Sequence, residues 1–296
     1  MNRRSPLQRV LVYAGALLLA VFWFGPFVLV ALGSVIPEGN LVSFPPNWFA
    51  SPPFLGNYDY IFTGEIPQTY EQRGAMRSMI STEVRQVPRA ILNSFLVAFA
   101  TMLVSLVFGS IAAYAFARLR FPGRGGVFNF VLLSRLIPTV ALAVPYYAIV
   151  QRMGLLNTYW ALIAIYSVLT LPFTTLVLTL YFRNIPAEID EAAQIEGASP
   201  WRVLWDIVLP LSAPSLIGTG LFAFMLAYGE FLFALLITTS AERRTLPVIL
   251  ATVSVNPDVS WGLLMAAISL GALPTLLLAI PVWRFMVRGL TAGASR

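Results

Sequence analysis

The sequence contains no lysine, histidine or cysteine among its 296 residues, so all 19 of its basic residues are arginine. Without lysine there is no GxxxxGK(S/T) phosphate loop, which excludes ATP hydrolysis by that route, and there is no Schiff-base chemistry. Without histidine there is no HExxH zinc site and no histidine general base. Without cysteine there is no disulfide and no thiolate nucleophile. Carboxylates, hydroxyls, amides and arginine are the only groups left for chemistry.

Charged residues are also scarce. They make up 11% of the chain, whereas 58% of the residues are hydrophobic and the mean hydropathy is +0.78. A soluble domain is typically about a quarter charged, so this chain carries too little charge to cover its surface in water. The net charge of +6 could indicate nucleic-acid binding, but in an apolar chain arginine more often marks cytoplasmic loops. We therefore expect the chain to lie in a lipid bilayer.

Six windows are long and apolar enough to cross a bilayer as helices, which takes roughly 20 residues each. The first contains no charge between Arg9 and Glu38 and is too long for the core of a signal peptide, so we interpret it as a retained helix. The sequence thus predicts an all-α integral membrane protein that forms a single transmembrane domain over 1–296. The predicted spans are 11–36, 91–117, 127–150, 160–181, 214–238 and 261–283.

The distribution of arginine predicts that both termini lie in the cytoplasm, because cytoplasmic segments carry an excess of basic residues. In this orientation the inner segments carry eleven arginines and the outer segments seven, of which four lie in the long 37–90 loop. The inner arginines are Arg3, Arg4, Arg9, Arg118, Arg120, Arg124, Arg183, Arg202, Arg284, Arg288 and Arg296. The outer arginines are Arg73, Arg77, Arg85, Arg89, Arg152, Arg243 and Arg244.

Pro45, Pro46, Pro52 and Pro53 break the first half of the external loop 37–90, where aromatic residues are interleaved with them. One interpretation is an ordered cap whose aromatic side chains lie at the membrane interface. The other is a docking surface for an external partner. The loop is too short and too irregular to predict a separate domain.

The cytoplasmic loop 182–213, between spans four and five, is longer than a connector needs to be. Pro186 favours a helix start with acidic residues near the positive end of the dipole, and Gly197 favours the left-handed position after a helix end. Ser199 and Pro200 then predict the cap and first turn of a second helix. This second helix is predicted to end at Pro210 and to carry one apolar stripe, formed by Trp201, Leu204, Trp205 and Val208.

Spacing alone leaves two hypotheses open for this loop. Small alanines on the first helix allow another surface to approach its backbone closely, so the loop could enter a cleft of another protein. The alternative is an amphipathic hairpin that lies on the membrane surface.

The same loop resembles the EAA loop of ABC importer permeases. It reads EAA at 191–193, EGAS at 196–199 and IVLP at 207–210, which reproduces the internal spacing of that motif. Two positions depart from the family pattern. Glu196 stands where aspartate is usual, and Leu204 stands where phenylalanine is usual.

In this family the EAA loop is the coupling helix, which enters a groove of the ATP-binding subunit. The resemblance therefore implies polar contacts by Glu191, a turn at Gly197 and a close fit at the alanines. The residues that it assigns to coupling are Glu191, Ala192, Ala193, Glu196, Gly197, Ala198 and Ser199.

Other segments narrow the resemblance to carbohydrate importers, and it covers nearly the whole chain beyond the long loop. Residues 112–123 resemble the end of the equivalent span, and 154–158 resemble the external turn. The tail 289–294 resembles that of the maltose-type, MalG-like branch. The resemblance implies a permease subunit that carries a sugar or oligosaccharide across the cytoplasmic (inner) membrane of a prokaryote by alternating access.

The resemblance also implies the other components of the transporter. They are a second, MalF-like permease, two copies of a nucleotide-binding ATPase subunit, and an extracytoplasmic sugar-binding protein, all operating in membrane lipid. ATP and magnesium would be bound by the ATPase subunit. This chain would itself be no enzyme and would have no catalytic residue, cofactor, metal or nucleic-acid partner.

Two ionisable residues, Arg135 and Glu230, fall inside the predicted spans, where a bare charge costs at least about 2.5 kcal/mol. Glu230 lies in a segment that resembles a family segment often carrying an acid there, and a carboxylate beside aromatic residues can hydrogen-bond sugar hydroxyls. The alternative is a structural pairing, with Arg135 or with a partner subunit. Pro138 and Pro145 are expected to break the third span and to free carbonyl groups. The candidate substrate-pathway residues are Glu230, Tyr228, Tyr146 and Arg135, with packing as the alternative role for the tyrosines.

An ion-gradient-driven secondary transporter is the alternative function. It requires ion-binding acids within the membrane, and Glu230 is its one candidate in the predicted spans. An intramembrane aspartyl protease would require two aspartates in the spans, which contain none.

Overall fold

A computed structural model describes residues 6–49, 52–66, 81–256 and 260–293. Across these ranges the chain forms helices and turns without a strand, which confirms the predicted all-α fold. The chain divides into two compact units, one over Met1–Pro88 and Ile249–Ala272 and the other over Arg89–Val248 and Leu273–Arg296. The single transmembrane domain over 1–296 stays a prediction.

The helices of the described residues follow one another along the chain with short connections. Their bounds are Pro6–Gly33, Glu38–Leu41, Gly56–Thr63, Val87–Arg118, Arg124–Leu133, Thr139–Arg152, Tyr159–Asn184, Ala187–Ile195, Pro200–Val203, Leu209–Leu211, Ala213–Tyr228, Leu232–Ile237, Leu246–Ser254 and Trp261–Gly293. Tighter 3-10 turns occur at Thr82–Gln86, Ser134–Leu136 and Ala241–Arg243, and a wider π turn occurs at Leu204–Val208.

Four of these helices are long and apolar enough to cross a membrane, and six spans result if each of two bent pairs counts as one. The four are Leu7–Gly33, Thr82–Arg118, Tyr159–Asn184 and Trp261–Ile280. The bent pairs are Arg124–Leu136 with Thr139–Arg152, at 98°, and Pro200–Leu211 with Ala213–Tyr228, at 84°. We call Pro6–Gly33 the first span, Val87–Arg118 the second, Tyr159–Asn184 the fourth, Ala213–Tyr228 the fifth and Trp261–Gly293 the sixth.

The predicted orientation of the chain stays a prediction. It rests in part on arginines that lie outside the described residues. The last residue of the tail motif also lies outside them. These residues are Arg3, Arg4, Arg73, Arg77, Ala294 and Arg296.

The third span, predicted as one helix, is broken at Pro138. Ile137, before this proline, has an extended backbone with ψ near 122°, because proline disfavours the helical conformation of the residue that precedes it. Pro145 was expected to cause a second break, but it lies inside the continuous helix Thr139–Arg152. Of the two predicted breaks, the structure therefore contains the one at Pro138.

The fifth span also ends earlier than the predicted 214–238. Its helix stops at Tyr228, and a short separate helix follows over Leu232–Ile237. The carboxylate of Glu230 accepts hydrogen bonds from the backbone N–H groups of Phe233 and Ala234 at 3.1 and 3.3 Å. An acid placed in this way caps the start of a new helix. The helix is therefore interrupted here, although the sequence stays apolar on both sides of Glu230.

In the first compact unit, Glu38 joins the start of the external loop to the start of the sixth span. Its carboxylate is buried and accepts hydrogen bonds from Ser260 Oγ at 2.9 Å, from Trp261 N at 3.1 Å and from Gly262 N at 2.9 Å. The backbone N–H groups of a helix start have no partner within the helix, and a negative charge there is favourable. Glu38 therefore caps the sixth span from a distant part of the chain.

Further bonds order the part of the external loop that the structure describes. Asn57 Nδ2 donates to Ser34 O at 3.0 Å, and the Tyr58 hydroxyl bonds Ser34 Oγ at 2.7 Å. These contacts support the interpretation of residues 37–49 and 52–66 as an ordered cap. Residues 67–80 of the same loop lie outside the described residues, and the docking hypothesis stays a prediction.

The first span is apolar on all sides. None of an 18-residue apolar window within Leu7–Gly33 is buried within the chain. A helix that is hydrophobic all round requires an apolar environment, which here means lipid or another membrane protein.

In the second compact unit, the second and fourth spans approach each other closely. Ser105 Oγ and Thr170 Oγ1 are hydrogen-bonded at 2.6 Å. One turn further along, a Cβ atom on Gly109 would lie 2.6 Å from Thr174 Cγ2 and 3.2 Å from Thr174 Cβ. Small residues at such a crossing let two helix backbones come together in a membrane protein.

The external turn 154–158 is held by Asn157. This residue has a positive φ of 59°, and its backbone N–H donates to Ile237 O at 2.9 Å. Its side-chain oxygen accepts from the backbone N–H groups of Thr239 and Ser240 at 3.2 and 3.1 Å. Asparagine is one of the few residues that tolerate this conformation, and its amide here also ties the turn to residues 237–240.

Candidate functional site

The predicted coupling loop folds as two short helical stretches, which we call the coupling hairpin (residues 186–211). The first helix runs over Ala187–Ile195, with Pro186 at its N-cap position. Glu188 and Asp190 lie in its first turn, near the positive end of the helix dipole. The predicted first helix is therefore confirmed.

The turn of the coupling hairpin depends on Gly197, whose φ is +89°. Ala198 N donates to Ala193 O at 2.9 Å, and Gly197 N donates to Gln194 O at 3.0 Å. This pair of bonds is the Schellman arrangement, which satisfies the last carbonyl groups of a helix. A Cβ atom on Gly197 would meet no atom within 4 Å, so backbone conformation, not space, requires glycine here.

The second stretch begins with the predicted cap. The Ser199 side chain accepts a hydrogen bond from Arg202 N at 3.4 Å, and Pro200 occupies the first helical position. The stretch continues through the π turn Leu204–Val208 and ends at the residue after Pro210. The predicted start is confirmed, and the end is displaced by one residue.

The predicted apolar stripe of this stretch is divided between two environments. Leu204 and Val208 are buried, whereas Trp201 and Trp205 are 58% and 47% exposed. A π turn holds more residues than an α turn, so the spacing that would align these four side chains on an α-helix does not do so here. The two tryptophans are left exposed, and Trp201 lies beside Tyr114 and Leu119.

A small apolar core fixes the coupling hairpin to the ends of two spans. Ala193 and Ala198 pack against this core from the first helix and the turn. Its buried members come from the second span, the fourth span and the second stretch of the hairpin, and they are Ala113, Tyr114, Leu178, Phe182, Val203, Leu204 and Val208.

A buried ion pair lies beside this core. Arg118, the last residue of the second span, donates from Nε to Asp190 Oδ2 at 2.7 Å and from Nη2 to Ile185 O at 2.8 Å. The side chains of Arg118 and Asp190 are only 13% and 6% exposed. Arg183 donates in the opposite direction, to Phe116 O at 3.4 Å. Arg118 thus joins the base of the hairpin to the end of the second span, and Arg183 joins the end of the fourth span to it.

The outer face of the coupling hairpin is open. Ile195, at the end of the first helix, is 88% exposed, which is unusual for a large apolar side chain next to a well-packed core. Sequence reasoning missed this residue, although an isoleucine directly before the turn was visible. Of the seven residues assigned to coupling, Ala193 and Ala198 are half-buried against the core. The exposed ones are Glu191, Ala192, Glu196, Gly197 and Ser199.

The candidate substrate-pathway residues fall into two groups. Arg135 and Tyr146 line one cleft of about 400 Å³ beside the break at Pro138, on the other side of which lie Leu169 and Pro172 of the fourth span. Arg135 Nη1 donates to Leu169 O across this cleft. The cleft therefore contains a guanidinium, a phenol and the hydroxyl residues Ser134 and Thr139 beside apolar side chains.

Glu230 and Tyr228 make structural contacts in the same compact unit, and their place in the substrate pathway stays a prediction. The Glu230 carboxylate caps the helix Leu232–Ile237, so its structural pairing is with backbone N–H groups and not with Arg135. Tyr228 is buried and stacks on Phe224 with ring centroids 5.5 Å apart. The ring of Tyr146 lies 5.6 Å from that of Phe233, which connects the two groups through one aromatic contact.

Across residues 6–49, 52–66, 81–256 and 260–293, Asp and Glu side chains form no group of three that could hold a metal ion. Among the ionisable side chains of the coupling hairpin, Asp190 is used in the buried pair with Arg118, and the others lie at the surface.

Comparison with known proteins adds sequence relatives to this geometry. Residues 105–287 match the family described as binding-protein-dependent transport system inner membrane component. The trehalose/maltose transport system permease protein MalG of Thermococcus litoralis is 35% identical over 293 residues, which cover 99% of this chain and 98% of that protein. The diacetylchitobiose uptake system permease protein DasC of Streptomyces coelicolor is 30% identical over 292 residues, which cover 99% of each.

Two solved structures share the fold at low sequence identity. A bacterial ABC transporter involved in the import of the acidic polysaccharide alginate matches with a TM-score of 0.73 at 17% identity, covering 96% of this chain and 99% of its own. A bacterial alginate ABC transporter in complex with an alginate pentasaccharide-bound periplasmic protein matches with a TM-score of 0.62 at 16% identity, covering 93% and 94%.

Proposed function

Since the chain belongs to the family of binding-protein-dependent transport system inner membrane components, we propose that it is the permease subunit of an ABC importer for a sugar or oligosaccharide. It moves the sugar across the membrane by alternating access and takes its energy from ATP hydrolysed in a separate subunit. Two relatives that match nearly the whole chain are named for trehalose and maltose and for diacetylchitobiose, which supports a saccharide substrate. The observation that carries the proposal is the coupling hairpin, whose base is buried and whose outer face is open.

The complete transporter, in this proposal, contains a second, MalF-like permease, two copies of a nucleotide-binding ATPase subunit and an extracytoplasmic sugar-binding protein. ATP and magnesium are bound by the ATPase subunit. The solved transporter with a bound periplasmic protein supports the last of these partners by its shared fold. The apolar first span supports contact with lipid or with the second permease in the cytoplasmic membrane of a prokaryote. Both termini and the coupling hairpin lie on the cytoplasmic side.

The coupling hairpin acts as a lever between the ATPase subunit and the spans. Its exposed face, with Glu191 and Ile195, enters a groove of the ATPase subunit, and its other face is fixed to the apolar core. When ATP draws the two ATPase subunits together, the hairpin moves with them and the spans change the side to which the pathway opens.

Replacing Glu191 with alanine is expected to lower ATP-driven sugar uptake and binding-protein-stimulated ATPase activity by about tenfold or more. A hydrogen bond to a charged group contributes about 1.5–3 kcal/mol, and the alanine variant would leave the group that bonds the Glu191 carboxylate without a partner. The measurement is uptake of labelled maltose, trehalose or diacetylchitobiose by the assembled complex in proteoliposomes. Asp206→Asn, at an exposed acid of the second stretch, is the matched control and keeps wild-type rates.

Wild-type uptake and ATPase activity in both Glu191→Ala and a Gly197 variant would contradict the coupling role. Uptake by the same proteoliposomes also distinguishes an ABC importer from the alternative, an ion-gradient-driven secondary transporter. Uptake that follows a proton or sodium gradient and ignores ATP would identify a secondary transporter instead.

The cleft beside Pro138 is the proposed substrate pathway, with Arg135 and Tyr146 offering hydrogen bonds to sugar hydroxyls. Tyr146→Phe removes one hydroxyl and leaves the ring contact with Phe233 in place. A neutral hydrogen bond contributes about 0.5–1.5 kcal/mol. The dissociation constant of the sugar from the complex, held with ATP bound and not hydrolysed, is therefore expected to rise about two- to twelvefold. Equilibrium binding of the three labelled sugars measures it.

Tyr147→Phe is the control, because this neighbouring tyrosine is half-buried and does not line the cleft. Equal sugar affinity in the two variants and the wild type would place the substrate pathway elsewhere. The assignment of the coupling hairpin would be unaffected by that result.

A further inference from the structure

The Arg118–Asp190 ion pair joins two parts of the chain that are 72 positions apart. Arg118 ends the second span, and Asp190 lies in the first helix of the coupling hairpin. The second donor of Arg118 bonds Ile185 O, just before the hairpin begins. The guanidinium therefore holds both the entry of the hairpin and its first helix against the end of the second span.

Burial makes this pair different from an ordinary surface ion pair. Its two side chains are 13% and 6% exposed, and Asp190 Oδ1 is buried without a hydrogen-bond partner in the part of the chain that the structure describes. Removing one partner of a buried pair leaves the other charge uncompensated, so the contact resists separation. The Arg202–Asp206 pair lies within the hairpin, is 74% and 63% exposed, and spans a single helical turn. Such exposed pairs contribute little.

The second span carries the contact onward, away from the hairpin. Ser105 of this span bonds Thr170 of the fourth span at 2.6 Å. Thr170 follows Leu169, whose carbonyl accepts from Arg135 in the proposed substrate cleft. The helix of the second span, the Ser105–Thr170 bond and the Arg135–Leu169 bond thus connect the base of the hairpin with the cleft, all within one compact unit.

We propose that Arg118 and Asp190 are positioning residues that make the second span move with the coupling hairpin as one body. They set the angle of the hairpin, so that its displacement by the ATPase subunit reaches the cleft and is not lost as independent motion. The inference rests on the proposed function, because it concerns how that function is coupled to ATP. Without this pair, ATP hydrolysis continues but transports less sugar per ATP.

The test uses the assembled complex in proteoliposomes, with the binding protein and labelled maltose, trehalose or diacetylchitobiose as probes. Asp190→Asn and Arg118→Gln are expected to lower the ratio of sugar transported to ATP hydrolysed at least fivefold. The double exchange Arg118→Asp with Asp190→Arg restores at least half of the wild-type ratio, and Asp190→Glu keeps most of it. Arg89→Gln and Glu242→Gln, at an ion pair outside the hairpin whose side chains are 60% and 70% exposed, are the matched controls and leave the ratio unchanged.

The ratio separates positioning from a purely structural role. A variant that only folds less well loses uptake and ATPase activity together, and an unchanged ratio in both single variants would overturn the proposal. A charge exchange that restores assembly without restoring the ratio would also overturn it.

A second measurement keeps the proposal testable if the single variants fail to assemble. The chain contains no cysteine, so Glu188→Cys on the hairpin and Phe108→Cys on the second span can be spin-labelled without background from this subunit. Both side chains are exposed. The distance between the labels is expected to stay constant with and without ATP in the otherwise wild-type complex. A distance that changes with the nucleotide would show that the two elements move independently.

Failure of the proposed function gives a different result. In that case the wild-type complex shows no ATP-driven uptake of any of the three sugars, whatever the label distance. Normal wild-type uptake with an unchanged ratio in the variants rejects only the role of the ion pair.

Discussion

Gly197→Val is expected to lower ATP-driven sugar uptake at least tenfold while the helices of the chain remain intact. The φ of +89° at this position is a left-handed conformation, which costs a residue with a side chain about 1–2 kcal/mol and a β-branched one more. A different φ would redirect the chain at Ala198 and undo the two bonds that close the first helix. The outer face of the coupling hairpin would then no longer match its partner.

Gly197→Asn is the graded control, because asparagine enters the left-handed region more easily than other residues with a side chain. It is expected to keep most of the uptake. Space is not limiting, since no atom lies within 4 Å of the added Cβ. Uptake by proteoliposomes and circular dichroism of the purified complex are the two measurements. Equal uptake in the valine and asparagine variants would show that the turn conformation is not required.

Gly109→Leu is expected to destabilise the complex by about 1–3 kcal/mol, the usual effect of overfilling a packed interior. The new Cβ would lie 2.6 Å from Thr174 Cγ2 and 3.2 Å from Thr174 Cβ. Thr174 is fully buried and has a short branched side chain, so it cannot move aside without moving its helix. The second and fourth spans would separate at the level of the Ser105–Thr170 bond.

Gly218→Leu is the matched control for this prediction. Gly218 also lies within a span, but a Cβ atom there meets nothing within 4 Å. The thermal unfolding midpoint of the purified complex should fall for Gly109→Leu and remain near the wild-type value for Gly218→Leu. Equal midpoints for the two variants would mean that the second and fourth spans are not as closely packed as described.

The capping features of the coupling hairpin could be predicted because they depend on neighbouring residues. Gly197 sits where a left-handed turn is needed, and Ser199 caps the helix that starts at Pro200. These hydrogen bonds join positions only a few residues apart, so the local sequence is enough to predict them. The π turn at Leu204–Val208 has no such local signature, and the predicted apolar stripe fails there for that reason.

The break in the third span was predicted in part, and the break in the fifth was not. A proline always removes a backbone donor, but Pro145 stays in its helix while Pro138 ends one. Hydropathy does not detect the interruption after Tyr228, because Glu230 creates it by capping the next helix. Whether an acid in an apolar run caps a helix or faces a cavity depends on backbone geometry.

The Arg118–Asp190 pair was beyond prediction from one sequence. In the sequence, Arg118 was already explained as a cytoplasmic arginine that sets the orientation of the chain. Asp190 was already explained as an acid in the first turn of a helix. Their pairing requires that the end of the second span and the hairpin meet in space, which nothing in the spacing of residues reveals. Local explanations that are individually adequate can therefore conceal a long-range contact.

Glu38 has a consequence for the order in which the chain is completed. The carboxylate and its three donors are separated by 222 to 224 positions. At a synthesis rate of about 5–20 residues per second, roughly 10 to 45 seconds pass before those donors exist. A bare charge is costly to bury, so Glu38 must stay hydrated during this interval. The first compact unit can close only when the sixth span has been made, and the earliest part of the chain is thus among the last to reach its final structure.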